Sequence, residues 1–268
     1  MKQRPKYNSA PPSGERLIII KNNIQTELAY KYAISHESIS IRGKSEERAF
    51  AHGGTLVGDG YVDSKKLKIS IDVKGKSQEE HDELLNSLTS LFMGRDYKLI
   101  NGRMDSYYNV ASLESIKPKW QKGYQNRWSD IDISLLMTDP FRYAANETVI
   151  IKLLTDPDAD GYCKLKLLNV GSVDTPMKIT LIPSTQMPSV EIVHEQSNRQ
   201  CKLKDSLLIS PHQTVIDSYA GTVFRDQDNA INAFSGQFIS AVPGENIYKI
   251  KVSNPGTVKI AIKARWLI

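Results

Sequence analysis

The chain has 268 residues, of which 40% are hydrophobic and 24% charged, a balance typical of a folded protein and not of a disordered one. Its longest aliphatic run, residues 17–20, is far shorter than the roughly 20 residues of a membrane-spanning helix, so we expect no membrane association. The formal net charge of +5 comes from 35 basic and 30 acidic residues that are interspersed along the chain. Nucleic-acid binders concentrate their positive charge on one face, so specific nucleic-acid binding is not predicted.

The N-terminal residues 1–16 are polar and contain several prolines. They lack the apolar core that a secretory signal needs. We therefore expect an extended, mobile N-terminal segment, and synthesis in the cytoplasm.

The first clear element is a strand at residues 66–74, where apolar and polar residues alternate. Residues 77–93 change to a helical spacing, because leucines and a phenylalanine recur three or four positions apart. Ser77 and Glu80 form the S-x-x-E capping box of a helix start. Gly94 is placed to end this helix with a positive φ. The first half therefore contains strands, one amphipathic helix and strands again.

The same alternation returns in four later segments and predicts a strand in each of them: residues 130–137, 177–181, 248–252 and 258–266. Asn254-Pro255-Gly256 separates the last two, and a proline followed by a glycine favours a type II turn. The second half shows no helical pattern. The fold class predicted from these patterns is mainly β.

Two regions stand out from the alternation. A polar stretch at 144–147 follows the strand that ends near residue 137, so we place a domain boundary there, giving domains 1–145 and 146–268. Residues 36–66 are rich in charges and contain four glycines between positions 53 and 60. A loop of this length inside a compact domain is usually functional or disordered, and we expect it to carry a contact between subunits.

No catalytic residue is predicted. The histidines have no metal-ligand spacing and no nucleophile or carboxylate in a recognisable arrangement around them: His36, His52, His81, His194 and His212. We place His81 at a polar position of the helix and His194 on the buried face of a strand. Cys163 and Cys201 share strand faces with leucines, so both are predicted to be small core residues and not a disulfide.

No metal or cofactor site is predicted either. Asp156, Asp158, Asp160 and Gly161 match the opening of a calcium loop, but position 12, where a bidentate glutamate belongs, is Leu167. We interpret the segment as a solvated turn, with calcium binding as the alternative. The glycines at 53–60 are not followed by the lysine and hydroxyl residue of a phosphate loop.

Cations and aromatic residues alternate irregularly over residues 117–128. Single-strand nucleic-acid binders combine these residue types. We favour a structural interpretation, in which two strand ends meet at a turn and Trp120 and Trp128 pack beneath lysine and arginine side chains.

A set of short motifs resembles the distal tail protein (Dit) family of long-tailed, siphovirus-type bacteriophages. In the first half they are Tyr107-Tyr108-Asn109-Val110 and Asp139-Pro140-Phe141-Arg142-Tyr143, a signature that closes the N-terminal domain in that family. In the second half they are Asn169-Val170-Gly171, Ile216-Asp217, Phe238, Pro243-Gly244-Glu245-Asn246-Ile247 and the closing Arg265-Trp266. The order and spacing of these motifs match the family over nearly the whole chain.

The resemblance implies an N-terminal tail-tube-like β-sandwich with one α-helix and a long hairpin, and a C-terminal galectin-like or carbohydrate-module-like β-sandwich. It also implies a non-enzymatic subunit of the virion that forms a hexameric ring at the tail tip. The partners implied are the tail-tube protein, the hub or tail-associated protein, and the tape-measure and receptor-binding proteins. We hypothesise that residues 36–66 and the hairpin at 103–128 are ordered mainly by neighbouring subunits.

Three alternatives stay open. A carbohydrate-binding adhesin would need exposed aromatic residues, for which Tyr162 and Tyr219 are the candidates in the second half. A glycoside hydrolase would need a pair of carboxylates at a defined separation, and no pattern selects two. A tail-tube or baseplate component of a related phage-like device would share the sandwich and the helix but would not need the second domain.

Overall fold

The computed structural model describes residues 16–30, 32–36, 39–47, 52, 54–102, 107–124 and 126–267. These residues form two compact units, Met1–Arg142 and Tyr143–Ile268. Both are built mainly from antiparallel strands, so the predicted fold class is confirmed. The predicted N-terminal segment, residues 1–16, lies outside the described residues except for Arg16. No helix in the described ranges is long and apolar enough to cross a membrane.

The first unit contains nine strands and one helix among its described residues. They are β1 (Arg16–Lys21), β2 (Ile24–Glu27), β3 (Tyr32–His36), β4 (Lys44–Glu47), β5 (Gly54–Val57), β6 (Lys65–Lys74), α1 (Gln78–Phe92), β7 (Tyr97–Gly102), β8 (Tyr107–Trp120) and β9 (Trp128–Met137).

Seven of these strands form one sheet in the order β2-β1-β7-β8-β9-β6-β3. Residues 109–111 of the long strand β8 pair with β7, and residues 112–120 pair with β9. Within the β8–β9 ladder the register shifts between Leu113 and Ser115, as at a β-bulge. Strands β8 and β9 form a long hairpin, as the resemblance implies, but its second strand begins where the predicted range 103–128 ends and continues to Met137. Residues 103–106 of the predicted range lie outside the described residues. The alternating residues of β6 and β9 pack in a single core, with Ile69 and Ile133 directly opposite each other.

Helix α1 begins and ends where the sequence indicates. The Ser77 side chain accepts a hydrogen bond from the Glu80 N–H at 3.2 Å, while the Glu80 carboxylate accepts one from the Lys76 N–H. Gly94 follows the helix with φ +125°. The last carbonyl groups of the helix accept hydrogen bonds from the Lys21 ammonium, which caps them from the end of β1.

The second unit contains the remaining strands. They are β10 (Arg142–Ala144, at the boundary), β11 (Thr148–Leu153), β12 (Cys163–Asn169), β13 (Thr175–Pro183), β14 (Ser189–His194), β15 (Gln200–Lys204), β16 (Thr214–Asp217), β17 (Thr222–Arg225), β18 (Asp228–Asn229), β19 (Phe234–Gly236), β20 (Ser240–Ala241), β21 (Gly244–Val252), β22 (Gly256–Ile262) and β23 (Arg265–Trp266).

Twelve of these strands, all except β10 and β23, form two sheets that share one core, as a β-sandwich requires. The first sheet has the order β11-β22-β13-β16-β17-β18, with β20 beside β13, and the second has the order β12-β21-β14-β15-β19. Cys163 and Cys201 are free and buried in that core, which confirms their predicted role. Burial raises the pKa of the Cys201 thiol to about 12.

Two local predictions for the C-terminal segment were wrong. Gly256 does not adopt the positive φ of a type II turn; a side chain there is excluded because its Cβ would lie 2.7 Å from the Ile182 carbonyl oxygen. The strand predicted at 258–266 is broken between β22 and β23. The break arises because β23 pairs with β10 and not with the neighbours of β22.

Candidate assembly surfaces

The signature Asp139–Tyr143, where the first unit ends, is held in place by hydrogen bonds. The Asp139 carboxylate accepts a hydrogen bond from the Phe141 N–H at 3.1 Å, which turns the chain at Pro140. The Asn109 side chain is buried and donates to the Phe141 carbonyl oxygen at 3.2 Å. The motifs Tyr107–Val110 and Asp139–Tyr143 are therefore joined by a hydrogen bond between residues 32 positions apart, which anchors the chain where it leaves β9.

The Asn169-Val170-Gly171 motif fixes the end of β12. The buried Asn169 amide donates to the carbonyl oxygens of Val173 and Ala241, and its oxygen accepts from the Gly171 N–H at 2.9 Å. Gly171 leaves no room for a side chain, because an added Cβ would lie 2.5 Å from the Arg265 carbonyl oxygen. The motif connects three separate segments of the second unit.

The turn before β21 depends on Asn246. Its side-chain oxygen accepts from the Val242 N–H, and its amide donates to the carbonyl oxygens of Val242 and Gly244, each at 2.8 Å. The same oxygen is 2.9 Å from Nε2 of His194, so Nε2 carries the proton and Nδ1 accepts from the Ser197 hydroxyl at 2.7 Å. His194 is buried with both nitrogens bonded, as expected for a core histidine.

His81 is buried, so its predicted polar position was wrong. It lies seven residues before Leu88 and therefore on the same face of α1, which packs on the sheet. Its Nε2 is 2.9 Å from the Ser129 hydroxyl, and its ring contacts the Trp120 ring in a tilted arrangement, with 4.9 Å between the ring centres and 45° between the ring planes. His81 thus extends the buried face of the helix by one turn towards its N-terminus. Its spacing from Leu88 in the sequence is the signal that places it on this face.

The acidic loop before β12 is a compact turn. The Asp158 N–H donates to the Tyr162 carbonyl oxygen, and the Asp158 carboxylate is 3.0 Å from the Lys164 ammonium. Within the described residues no three histidine, cysteine or carboxylate side chains are grouped as metal ligands. The Lys164 ammonium thus holds the carboxylate at the centre of the candidate calcium segment.

The cation and aromatic segment at 117–128 forms the end of the β8–β9 hairpin. The Trp128 indole N–H donates to the Asp72 carboxylate, and the Lys74 ammonium lies 3.8 Å from the centre of the Trp128 ring. Tyr124 packs edge-on against Trp128 at 4.4 Å. These contacts agree with the structural interpretation. Trp120 and Tyr124 are nevertheless about half exposed, at 47% and 51%.

The described residues between 39 and 63 contain a separate two-stranded sheet and are here called the arm. Strands β4 and β5 pair only with each other among the described residues, and an isolated bridge joins Ile41 to Val62 at the base. Arg42 lies 3.5 Å from the Asp59 carboxylate at that base. Tyr61 is 69% exposed, and Ile41 and Val57 are at least half exposed. The arm therefore presents apolar side chains that no described part of this chain covers.

The two candidate glycan-contacting residues lie on different sheets of the second unit. Tyr219 follows β16 of the first sheet and is 68% exposed. Tyr162 precedes β12 of the second sheet, beneath the Lys251 ammonium at 5.6 Å.

Comparison with known protein structures identifies a similar fold that spans both units. No protein-family model matches the chain, and no curated protein matches it significantly. The SPP1 Dit protein (gp 19.1), a paradigm of the hub adsorption apparatus in phages that infect Gram-positive bacteria, superposes with a TM-score of 0.69 at 15% identity, over 92% of this chain and 98% of that one. A protein of the native gene transfer agent virion covers 45% of this chain and 89% of its own length, at 12% identity and a TM-score of only 0.27. The fold predicted from the resemblance to the Dit family is confirmed.

Proposed function

We propose that this chain is a structural, non-enzymatic subunit of a phage tail tip. Six copies form a ring in the virion that joins the tail tube to the hub or tail-associated protein and to the host-adhesion apparatus. The observation that carries this proposal is the match to the SPP1 Dit fold over 92% of the chain, because it includes both units and their order. The motifs of the Dit resemblance support it further, since the buried side chains of Asn109, Asn169 and Asn246 in these motifs hold separate segments of the fold together.

In this proposal residues 1–145 form the ring and residues 146–268 form an outward-facing sandwich. A closed ring needs two different surfaces on each subunit that meet through rotation. The first unit offers the arm, the exposed end of the β8–β9 hairpin and the edge strands β2 and β3, each of which pairs with one neighbour in the described chain. Unpaired strand edges and apolar projections are the features that such contacts use.

The first experiment is native mass spectrometry of the purified chain, with negative-stain images of the same sample. We expect a species of six times the 30.1 kDa chain mass, seen as a ring with an open centre. A chain that stays monomeric, both alone and after addition of the tail-tube and hub proteins from the same particle, would contradict the proposal.

The arm is tested by the substitution Tyr61→Lys. We expect the variant to lose the ring while its melting temperature stays within a few degrees of the wild type, because Tyr61 is 69% exposed in the subunit. Tyr219→Lys is the matched control, since that tyrosine is 68% exposed in the second unit and should leave the ring intact. Equal ring yields from the two variants would exclude the arm from the subunit contact.

A further inference from the structure

The outer edge of the first sheet in the second unit carries three exposed aliphatic side chains in a row. Val149, Ile151 and Leu153 alternate along β11 and are 41%, 65% and 65% exposed. They point away from the core, because Ile150 between them packs against it. We call these three residues the aliphatic stripe.

Strand β11 ends the sheet, so one side of its backbone is open. It pairs with β22 along its whole length, from Thr148 opposite Ile262 to Leu153 opposite Thr257, and no described strand lies on its other side. Natural sheet edges are usually protected by outward charges, prolines or bulges. The charged residue of β11, Lys152, is withdrawn from the edge, because its ammonium donates to the Lys164 carbonyl oxygen of the opposite sheet.

The charges beside the stripe are unbalanced. On the second sheet, four lysines are neutralised by neighbouring carboxylates: Lys164 by Asp158, Lys166 by Glu245, Lys202 by Glu191 and Lys249 by Glu195. On the first sheet Lys178 pairs with Asp217, whereas Lys259 of β22, opposite Ile151, has no carboxylate within ion-pair distance among the described residues. A lysine without a neighbouring carboxylate therefore lies beside the aliphatic stripe.

We propose that β11 is the docking site for an extended segment of a different protein, which adds to the sheet as a further strand. Apolar side chains of that segment cover the aliphatic stripe, its backbone pairs with the open edge, and a carboxylate on the same face approaches Lys259. Main-chain pairing supplies affinity in this mode, and the pockets for alternate side chains supply specificity. The inference rests on the proposed function only in that the partner is another tail component.

Two other occupants fit these observations less well. A second copy paired through β11 would bring no carboxylate of that strand to Lys259, because β11 contains no acidic residue. A glycan would need exposed aromatic rings on this surface, and the stripe is aliphatic.

The probe is a dye-labelled, capped peptide, Ile-Thr-Glu-Thr-Ile-Thr, that places two isoleucines and the glutamate on one face of a strand. We expect it to bind the full-length chain in fluorescence anisotropy and to protect the amides of residues 148–153 from hydrogen exchange. A peptide with lysine in place of the glutamate should bind more weakly, and one with a central proline should not bind. No binding at millimolar peptide, or protection confined to other residues, would overturn the proposal.

The variant Ile151→Lys separates this site from the rest of the molecule. We expect it to weaken peptide binding by at least about tenfold, because a charge replaces an isoleucine that the bound peptide would cover. Leu168→Lys is the control, since Leu168 is 57% exposed on the other sheet and should leave binding unchanged. Equal weakening by both variants would contradict the assignment to β11.

Two further measurements distinguish the remaining outcomes. If sedimentation velocity shows self-association that Ile151→Lys abolishes, the occupant is a second copy and the proposal is wrong. Native mass spectrometry of Ile151→Lys should still show the six-fold species, because the proposed ring contacts belong to the first unit. If the wild type forms no ring, alone or with the tail-tube and hub proteins, the proposed function is contradicted. The peptide experiment would still test the site on β11.

Discussion

At the scale of single residues, buried polar side chains organise the turns of the second unit. Asn169 and Asn246 each bind several backbone groups and are almost fully buried. A buried backbone group that loses its partner costs about 1–3 kcal/mol, so residues of this kind specify one conformation of the turn. The turns that these side chains hold explain why the motifs of the Dit resemblance contain asparagine and glycine.

His194 makes the second unit sensitive to acid. Burial lowers the pKa of His194 below its ordinary 6.5, although the hydrogen bond with Asn246 opposes the shift. As the pH falls below about 6.5, the unfolded chain binds the proton before the folded one does. The stabilising contribution of neutral His194 is therefore complete above that pH and is lost as the pH falls through the folded-state pKa.

We expect His194→Gln to reduce the loss of unfolding free energy between about pH 7.5 and 5 relative to the wild type. The measurement is urea unfolding at a series of pH values, followed by circular dichroism. His52→Gln, at an exposed position, is the control and should keep the wild-type slope. Parallel slopes for His194→Gln and the wild type would show that His194 does not account for the pH dependence.

At the scale of elements, helix α1 is specified at both ends by local chemistry. The Ser77 hydroxyl caps its first turn, and Lys21 from β1 caps its last carbonyl groups. The buried face of the helix, with Leu88 and Phe92, then packs on the sheet of the first unit.

The N-cap gives a prediction for this element. Ser77→Ala should lower the free energy of unfolding by about 1 kcal/mol, because the Glu80 N–H loses its acceptor. Ser87→Ala lies on the exposed face of the same helix and should be neutral or slightly stabilising, since alanine has the higher helix propensity. Equilibrium urea unfolding of both variants measures the difference, and equal effects would exclude the cap as the cause.

At the scale of the whole molecule, each unit has its own hydrophobic core. The core of the second unit is drawn from both of its sheets and includes residues from Leu154 to Ile262. A segment with its own sheets and its own core is expected to fold by itself.

We predict that residues 143–268 expressed alone unfold cooperatively in a thermal melt. A shorter fragment, 146–268, should be less stable, because it lacks the β10 residues and the hydrogen bond from the Ala144 N–H to the Ala264 carbonyl oxygen at 2.9 Å. A non-cooperative melt of the longer fragment would show that the second unit depends on the first.

The sequence by itself determined the type of most elements. Alternation predicted β6, β9, β13 and β21, because a strand with one buried face repeats every two residues. The helix, its cap and the buried cysteines followed from the same local periodicity. The Dit resemblance could also be stated from the sequence, since it depends on the residue types of short motifs and on their order along the chain.

Only the tertiary structure decided which strands lie at an edge and which faces stay exposed. The run Val149-Ile150-Ile151 is uniformly apolar, and local pattern cannot show that Ile150 packs inward while its neighbours face outward at the end of a sheet. The break after β22 and the burial of His81 likewise depend on partners far away in the sequence. Strand pairing and helix packing are non-local, so the surfaces proposed for assembly follow from the fold and not from any one segment.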